Sequence, residues 1–256
     1  MQTADPDSLG FVPERLAHIP QFLRERYLDS GRLKGFQLLI GREDEVAHFS
    51  SHGKMYEEDD RELPDDAIFR IASMTKPITS IAYMQLVERG LTALDDPVHR
   101  VIPEFKGLGV HDGGGGELPF ASRPTEAPMR MIDLLRHTSG LTYAFQNRSN
   151  IDLAYRERKI EKWHGNHDLD GFVEALGQLP LEFSPGAAWN YSVSTDVLGA
   201  VVQRVSGQPL DEYFAEHIFG PLGMEDTFFW VPDDKTYRVG DCWLYTPDGP
   251  ILTDRA

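Results

Sequence analysis

The sequence predicts an α+β fold, and three observations carry that expectation. Strand-like runs cluster toward the two chain ends, at residues 36–40, 45–51 and 238–253. Helical spacing dominates the middle. No internal repeat divides the 256 residues. Together they point to a mostly antiparallel sheet made from the chain ends, flanked by helices, with a helical lobe inserted. The expected partition is a single catalytic-sized region, 1–256. In it, 1–72 and 220–256 form a sheet-containing lobe and 73–219 a mainly helical one.

Each element follows from local pattern. Residues 13–30 place Leu16, Ile19, Leu23 and Tyr27 at helical spacing, and Gly31 supplies the stop. FQLLI (36–40) and EVAHFSS (45–51) read as strands joined by Gly41-Arg42-Glu43-Asp44. After Lys76, Ile78, Ile81, Ala82, Leu86 and Val87 make a helix that ends at Gly90. It is apolar on most faces, so a buried helix is expected. Residues 107–128 are rich in glycine and proline and read as a flexible surface loop. The four glycines there lack the Gly-Lys-Ser/Thr of a phosphate loop. Residues 129–136, 171–178 and 194–219 are helical, the last broken at Gly207 and Pro209. Residues 141–170 look polar and irregular. The tail reads strand, turn at Pro247-Asp248-Gly249, strand.

Charge narrows the function classes. The chain carries 41 acidic and 25 basic residues, a formal net charge of −16. Such a surface repels phosphate backbones, so no nucleic-acid partner is expected. One cysteine, Cys242, excludes an intrachain disulfide. The first residues, MQTADPDSLGFVPERL, have neither a basic start nor an apolar stretch, and no run is long enough to span a bilayer. The expectation is a cytoplasmic protein without membrane attachment. Oligomeric state cannot be read from the sequence.

The chemistry starts at RIASMTKPITS, residues 70–80. Ser73 and Lys76 are three apart, so on a helix they share one face, about 5–6 Å apart at Cβ. A helix N-terminus favours negative charge developing beside it. Serine is a weak nucleophile and needs a base. A lysine serves as one when its charged form is destabilised by apolar surroundings. Ile71, Ala72, Met74, Pro77 and Ile78 supply that setting. The bland reading is a helix-capping serine beside a surface lysine.

The flanking sequence bears on that choice. Residues 69–105, LLRHTSGLTY (134–143) and FSPGAAWNYSVSTDVLGA (183–200) resemble, in order and spacing, the β-lactamase-related serine hydrolases. That family includes class C β-lactamases, D-alanyl-D-alanine peptidases and family VIII carboxylesterases. The resemblance runs from about residue 11 to the end. It implies the β-lactamase/transpeptidase-like fold, Ser73 as the acylated nucleophile and Lys76 as the group that takes or relays its proton. Tyr191 would share that proton, since a neighbouring ammonium lowers a phenol's pKa. Taken alone, Tyr191 reads better as an aromatic residue packing beside Trp189. Trp189 and Val193 are the candidate substrate-binding residues. No metal or organic cofactor is implied.

Two departures from the family pattern stand out. Val193 replaces the asparagine with which lactamases contact the substrate amide, and esterase-type relatives often carry an apolar residue there. Valine has no side-chain hydrogen bond to offer, which tilts the expectation to ester hydrolysis. The resemblance also implies a third motif, Lys-Thr-Gly or similar, on a later strand. Nothing after residue 200 matches it, and Lys235-Thr236-Tyr237 only begins like it. The sequence ends roughly a third short of a typical family member. In relatives that part supplies central strands and one oxyanion donor, a group worth on the order of 3 kcal/mol.

Other constellations are weaker. His164, His167, Asp168 and Asp170 have metal-like side chains, but their spacing fits no standard zinc site and reads as a solvated loop. His137 is expected to support structure, and Cys242 to pack. No G-x-S-x-G or H-E-x-x-H occurs. The sequence therefore predicts a serine hydrolase that cleaves small-molecule carboxylic esters through an acyl-enzyme. A β-lactamase or D-alanyl-D-alanine peptidase is the rival within the enzyme class, and a non-catalytic ligand-binding remnant the rival outside it.

Overall fold

The computed structural model describes residues 2–58, 61–161 and 168–255. The chain divides into two compact units, Met1–Arg70 with Phe229–Ala256, and Ile71–Phe228.

The first unit begins with helix α1 (Pro13–Leu23), which continues as a wider π-helical turn over Arg24–Leu28. Leu16 of α1 packs with Leu9 and Ala47 in a small core. Strands β1 (Gly35–Arg42) and β2 (Glu45–Gly53) form an antiparallel hairpin. Its two-residue turn, Glu43-Asp44, has both φ angles positive (53° and 64°). That backbone twist matches the twist of paired strands. Strands β5 (Cys242–Thr246) and β6 (Gly249–Asp254) make a second hairpin, closed at Pro247-Asp248 as the sequence predicts. Lys235-Thr236-Tyr237 lies in a short 3₁₀ helix, Asp233–Arg238, and not on a strand.

The second unit is built around α2 (Thr75–Glu88) and α6 (Ser194–Ser206), with α3 (Met131–Leu135), α4 (Asn150–Glu157), α5 (Leu169–Leu176) and α7 (Leu210–Phe214) around them. Tyr83 and Leu86 of α2 pack in one core with Met131 and Leu134 of α3 and Val197, Leu198 and Val201 of α6. Gly90 terminates α2 as expected. It adopts φ 70°, the Gly90 N–H donates to Val87 O at 2.9 Å and the Leu91 N–H to Leu86 O at 3.0 Å, the double bond of a Schellman cap.

Helices with antiparallel strands make the α+β fold that the sequence predicts, and among the described residues those strands pair in three two-stranded hairpins. Three expectations need correction. Residues 107–128 are not a loop but contain the third hairpin, β3 (Val110–Gly115) and β4 (Leu118–Arg123). Its glycines permit a bulged ribbon, which Asn150 Nδ2 anchors at Gly114 O (2.8 Å) and the His111 and Phe120 rings brace edge to face. Within 141–170, Ser149 starts α4. Its hydroxyl accepts the Ile151 and Asp152 N–H groups, and Asp152 accepts the Ser149 N–H in return. Helix α2 buries one face only, and Ile81 and Met84 remain exposed.

Candidate active site

The residue before the serine is unusual. Ala72 has φ 42°, a left-handed value that side-chain-bearing residues seldom adopt. Such strain persists only where the surroundings enforce it, and it turns the chain from the preceding segment into a 3₁₀ turn, Ala72–Met74, that runs straight into α2. Ser73 sits on this turn, two residues ahead of the α-helix the sequence has it open. Lys76 is in the first turn of α2, on the same face. Its Nζ donates to Ser73 Oγ at 3.1 Å. Ser73 is exposed and Lys76 partly so.

Tyr191 comes from 118 residues away, on the segment entering α6, and its hydroxyl lies 2.6 Å from Ser73 Oγ. The three expected residues therefore converge on one oxygen. Burial alone would raise the Tyr191 phenol. Hydrogen bonds with Lys76 and Ser73, and the Lys76 charge, outweigh it and bring the pKa below the ordinary tyrosine value. A phenol more readily ionised has more of the phenolate, the form able to accept the serine proton, at a given pH.

Aromatic rings hold this arrangement. The Tyr191 ring lies 5.0 Å from His137 and 5.2 Å from Tyr143 between centroids, and Tyr143 stacks on Phe145 at 4.9 Å. Lys76 Nζ stands over both phenol rings, 4.8 Å from Tyr191 and 5.4 Å from Tyr143. His137 packs against the Tyr191 ring and meets Ser192. Burial, and then the charge of Lys76, lower its pKa, and its Nδ1 faces the Ser192 N–H and hydroxyl. Below it the buried hydroxyls of Ser192, Ser194 and Ser139 form a chain with 2.7 Å links, tying the segment around 137–140 to the start of α6. Gly140 lets the same segment lie close against residues 181–183, where the Glu182 N–H donates to its carbonyl at 2.8 Å. It has φ 87°, and a Cβ there would lie 2.3 Å from Phe183 O.

The two expected substrate-binding residues are placed differently from each other. Trp189 is exposed and meets the edge of His137 at 6.3 Å, at the rim of the aromatic group. Val193 is 1% exposed. It packs in the core cluster with Val197 and Val201 of α6 and offers almost no surface to solvent.

Two polar groups beside Lys76 escape sequence reasoning. The Tyr143 hydroxyl donates to Asp196 Oδ2 at 3.2 Å. Burial, then Asp196, push the Tyr143 phenol far above its ordinary value, so it remains a donor. Tyr143 closes the LLRHTSGLTY stretch, which was its only signal. Asp196, five residues after Tyr191, had none.

His164 and His167 lie outside the described residues. Asp168 caps α5 by accepting the Gly171 N–H at 2.8 Å, and Asp170 pairs with Arg204 at 2.7 Å. Among the described residues no cluster of three metal-ligating side chains occurs. None of their helices is long and apolar enough to cross a membrane.

Known proteins are similar to this chain in sequence and in fold. A family model described as Beta-lactamase matches residues 21–254. Esterase EstB of Burkholderia gladioli is 35% identical over 240 residues, 91% of this chain and 55% of that protein. The lovastatin esterase of Penicillium rubens is 33% identical over 175 residues, 68% of this chain and 42% of that protein. Among solved structures, EstCE1, described as a hydrolase with promiscuous acyltransferase activity, superposes with a TM-score of 0.81 at 27% identity, covering 94% of this chain and 60% of that one. The chain thus spans about half the length of the curated relatives it matches. With the match extending over nearly the whole sequence, the chain belongs to the beta-lactamase family.

Proposed function

We propose that this protein is a serine hydrolase that cleaves small-molecule carboxylic esters by two-step acyl transfer. The observation that carries the proposal is the convergence of Tyr191 OH (2.6 Å) and Lys76 Nζ (3.1 Å) on Ser73 Oγ. Ser73 Oγ attacks the ester carbonyl carbon as its proton passes to the Tyr191 oxygen, with the Lys76 ammonium stabilising the phenolate that accepts it. The carbonyl reforms, the alcohol leaves with that proton, and an acyl-Ser73 ester remains. Water then attacks the acyl carbon, gives a proton to the same pair, and the acid departs as Ser73 recovers its own. The named esterases among the relatives support ester chemistry. The acyltransferase activity in the description of EstCE1 supports a second reading, in which an alcohol replaces water in the second step.

The test compares the protein with Ser73→Ala on 4-nitrophenyl acetate and butyrate and on a chromogenic cephalosporin. Ester turnover that vanishes in the variant, with the cephalosporin left intact, is the expected result. An unchanged rate in Ser73→Ala would remove the nucleophile assignment. Cephalosporin turnover equal to that of the esters would favour a lactamase.

A further inference from the structure

We infer that Asp196, acting through Tyr143, is a positioning residue that holds the Lys76 ammonium over the two phenol rings and against Ser73. This rests on the Ser-Lys-Tyr reading and extends it to a residue outside that trio.

The argument is geometric. Lys76 Nζ donates to Ser73 Oγ at 3.1 Å and lies over the faces of Tyr191 and Tyr143. Lysine is a flexible chain ending in a point charge, so its place is set by what surrounds the charge. One of those two rings must itself be held. Tyr191 is fixed by His137, by its bond to Ser73, and by the Gln146 amide that donates to its backbone carbonyl. Tyr143 has Phe145 stacked on one face, and its hydroxyl is tied to Asp196 at 3.2 Å. Donation to a carboxylate enriches the phenol ring in electrons, which strengthens its hold on a cation. The Asp196 charge also attracts Lys76 directly.

The groups facing Asp196 come from every neighbouring element. Lys76 faces it from α2, Tyr143 from the segment before 144–146, Tyr191 from the entry to α6, and Glu161 from the turn after α4. Its carboxyl is pushed up by desolvation and brought partly back by the Lys76 charge and the Tyr143 hydroxyl. A purely structural explanation also exists, since an acid in the first turn of α6 complements the helix N-terminus. That explanation predicts lost stability without altered chemistry.

The experiment measures the rate at which a fluorophosphonate forms an adduct with Ser73, by intact mass, from pH 6 to 10. It compares wild type, Asp196→Asn, Tyr143→Phe and the double variant. Tyr143→Phe keeps the ring and removes only the hydroxyl, so it remains informative should Asp196→Asn fold poorly. Each single variant should lower the high-pH plateau roughly tenfold to a hundredfold, the scale of a misplaced catalytic group. The double variant should be no slower than the slower single, because both cut one linkage. Asp196→Asn should also move the rising limb to lower pH, because the carboxylate holds the Tyr191 phenol up. Asp196→Asn or Tyr143→Phe labelling at the wild-type rate, or multiplicative losses in the double variant, would overturn the inference alone. A folded wild-type protein that takes no adduct would overturn it together with the Ser-Lys-Tyr reading.

Discussion

Tyr191→Phe isolates the proton acceptor from the packing around it. The ring stays, with its neighbours His137 at 5.0 Å, Tyr143 at 5.2 Å and Lys76 at 4.8 Å. Only the oxygen 2.6 Å from Ser73 Oγ is lost. A positioned acid–base group contributes about 10²–10⁴ in rate. At about 1.4 kcal/mol per decade that is roughly 3–5.5 kcal/mol of transition-state stabilisation. The folded state should barely respond. The residue is half-buried, and one hydrogen bond is worth about 1 kcal/mol net, or some 2–4 °C in Tm for a chain of this size. The assay pairs 4-nitrophenyl butyrate hydrolysis with a thermal melt, both against pH. In wild type the active base form grows as pH rises through the lowered Tyr191 pKa, so kcat/KM should climb with a midpoint below the usual tyrosine value. In Tyr191→Phe that limb should disappear and the rate fall at least a hundredfold. A variant with normal folding, a rate within threefold of wild type and an intact limb would refute the assignment.

Three further outcomes concern the scaffold. Gly140→Ala puts a Cβ 2.3 Å from Phe183 O at φ 87°, and should cost at least about 2 kcal/mol in urea unfolding, because neither strain nor clash can relax cheaply. Ser149→Ala removes the cap of α4 and should cost about 1 kcal/mol, read as a fall of a few degrees in Tm. Glu161 should make stability pH-dependent. Burial raises its carboxyl to about 7 in the folded protein, from 4.5. A raised acid means that the folded state binds the extra proton, so the stabilisation is full below pH 4.5 and is lost as pH rises through 7. Partial exposure discounts the effect to about 1–2 kcal/mol. Glu161→Gln should therefore raise Tm at pH 8 and leave it nearly unchanged at pH 4.5, and equal shifts at both would contradict the burial argument.

What could be read in advance divides by the range of the signal. Ser73 and Lys76 are three apart, a spacing that suggests a shared face, but spacing alone also fits a capping serine beside a surface lysine, and the choice of catalysis came from the resemblance of the flanking stretches. Tyr191 is reached only through tertiary structure, and it was legible solely because its surrounding stretch resembles a family segment. Tyr143 and Asp196 lie on separate segments with no pattern linking them, and only the fold brings them together. Val193 shows the opposite case. Its motif position suggested the substrate, but Val193, Val197 and Val201 repeat every four residues, and that helical period puts it in the core. The hairpin at Val110–Arg123 was obscured because glycines were read as flexibility, when here they accommodate a bulged ribbon. Helix α4 was obscured by its polarity, although Ser149 and Asp152 mark its start with a capping box.

Ester hydrolysis by this protein requires Ser73 to be an assembled, activated nucleophile in this chain. The most direct test is the intact mass of the folded protein after incubation with a fluorophosphonate, alongside Ser73→Ala. The account predicts one adduct per chain on the wild type and none on the variant. A folded wild type that stays unmodified, or a variant labelled equally well, would contradict it.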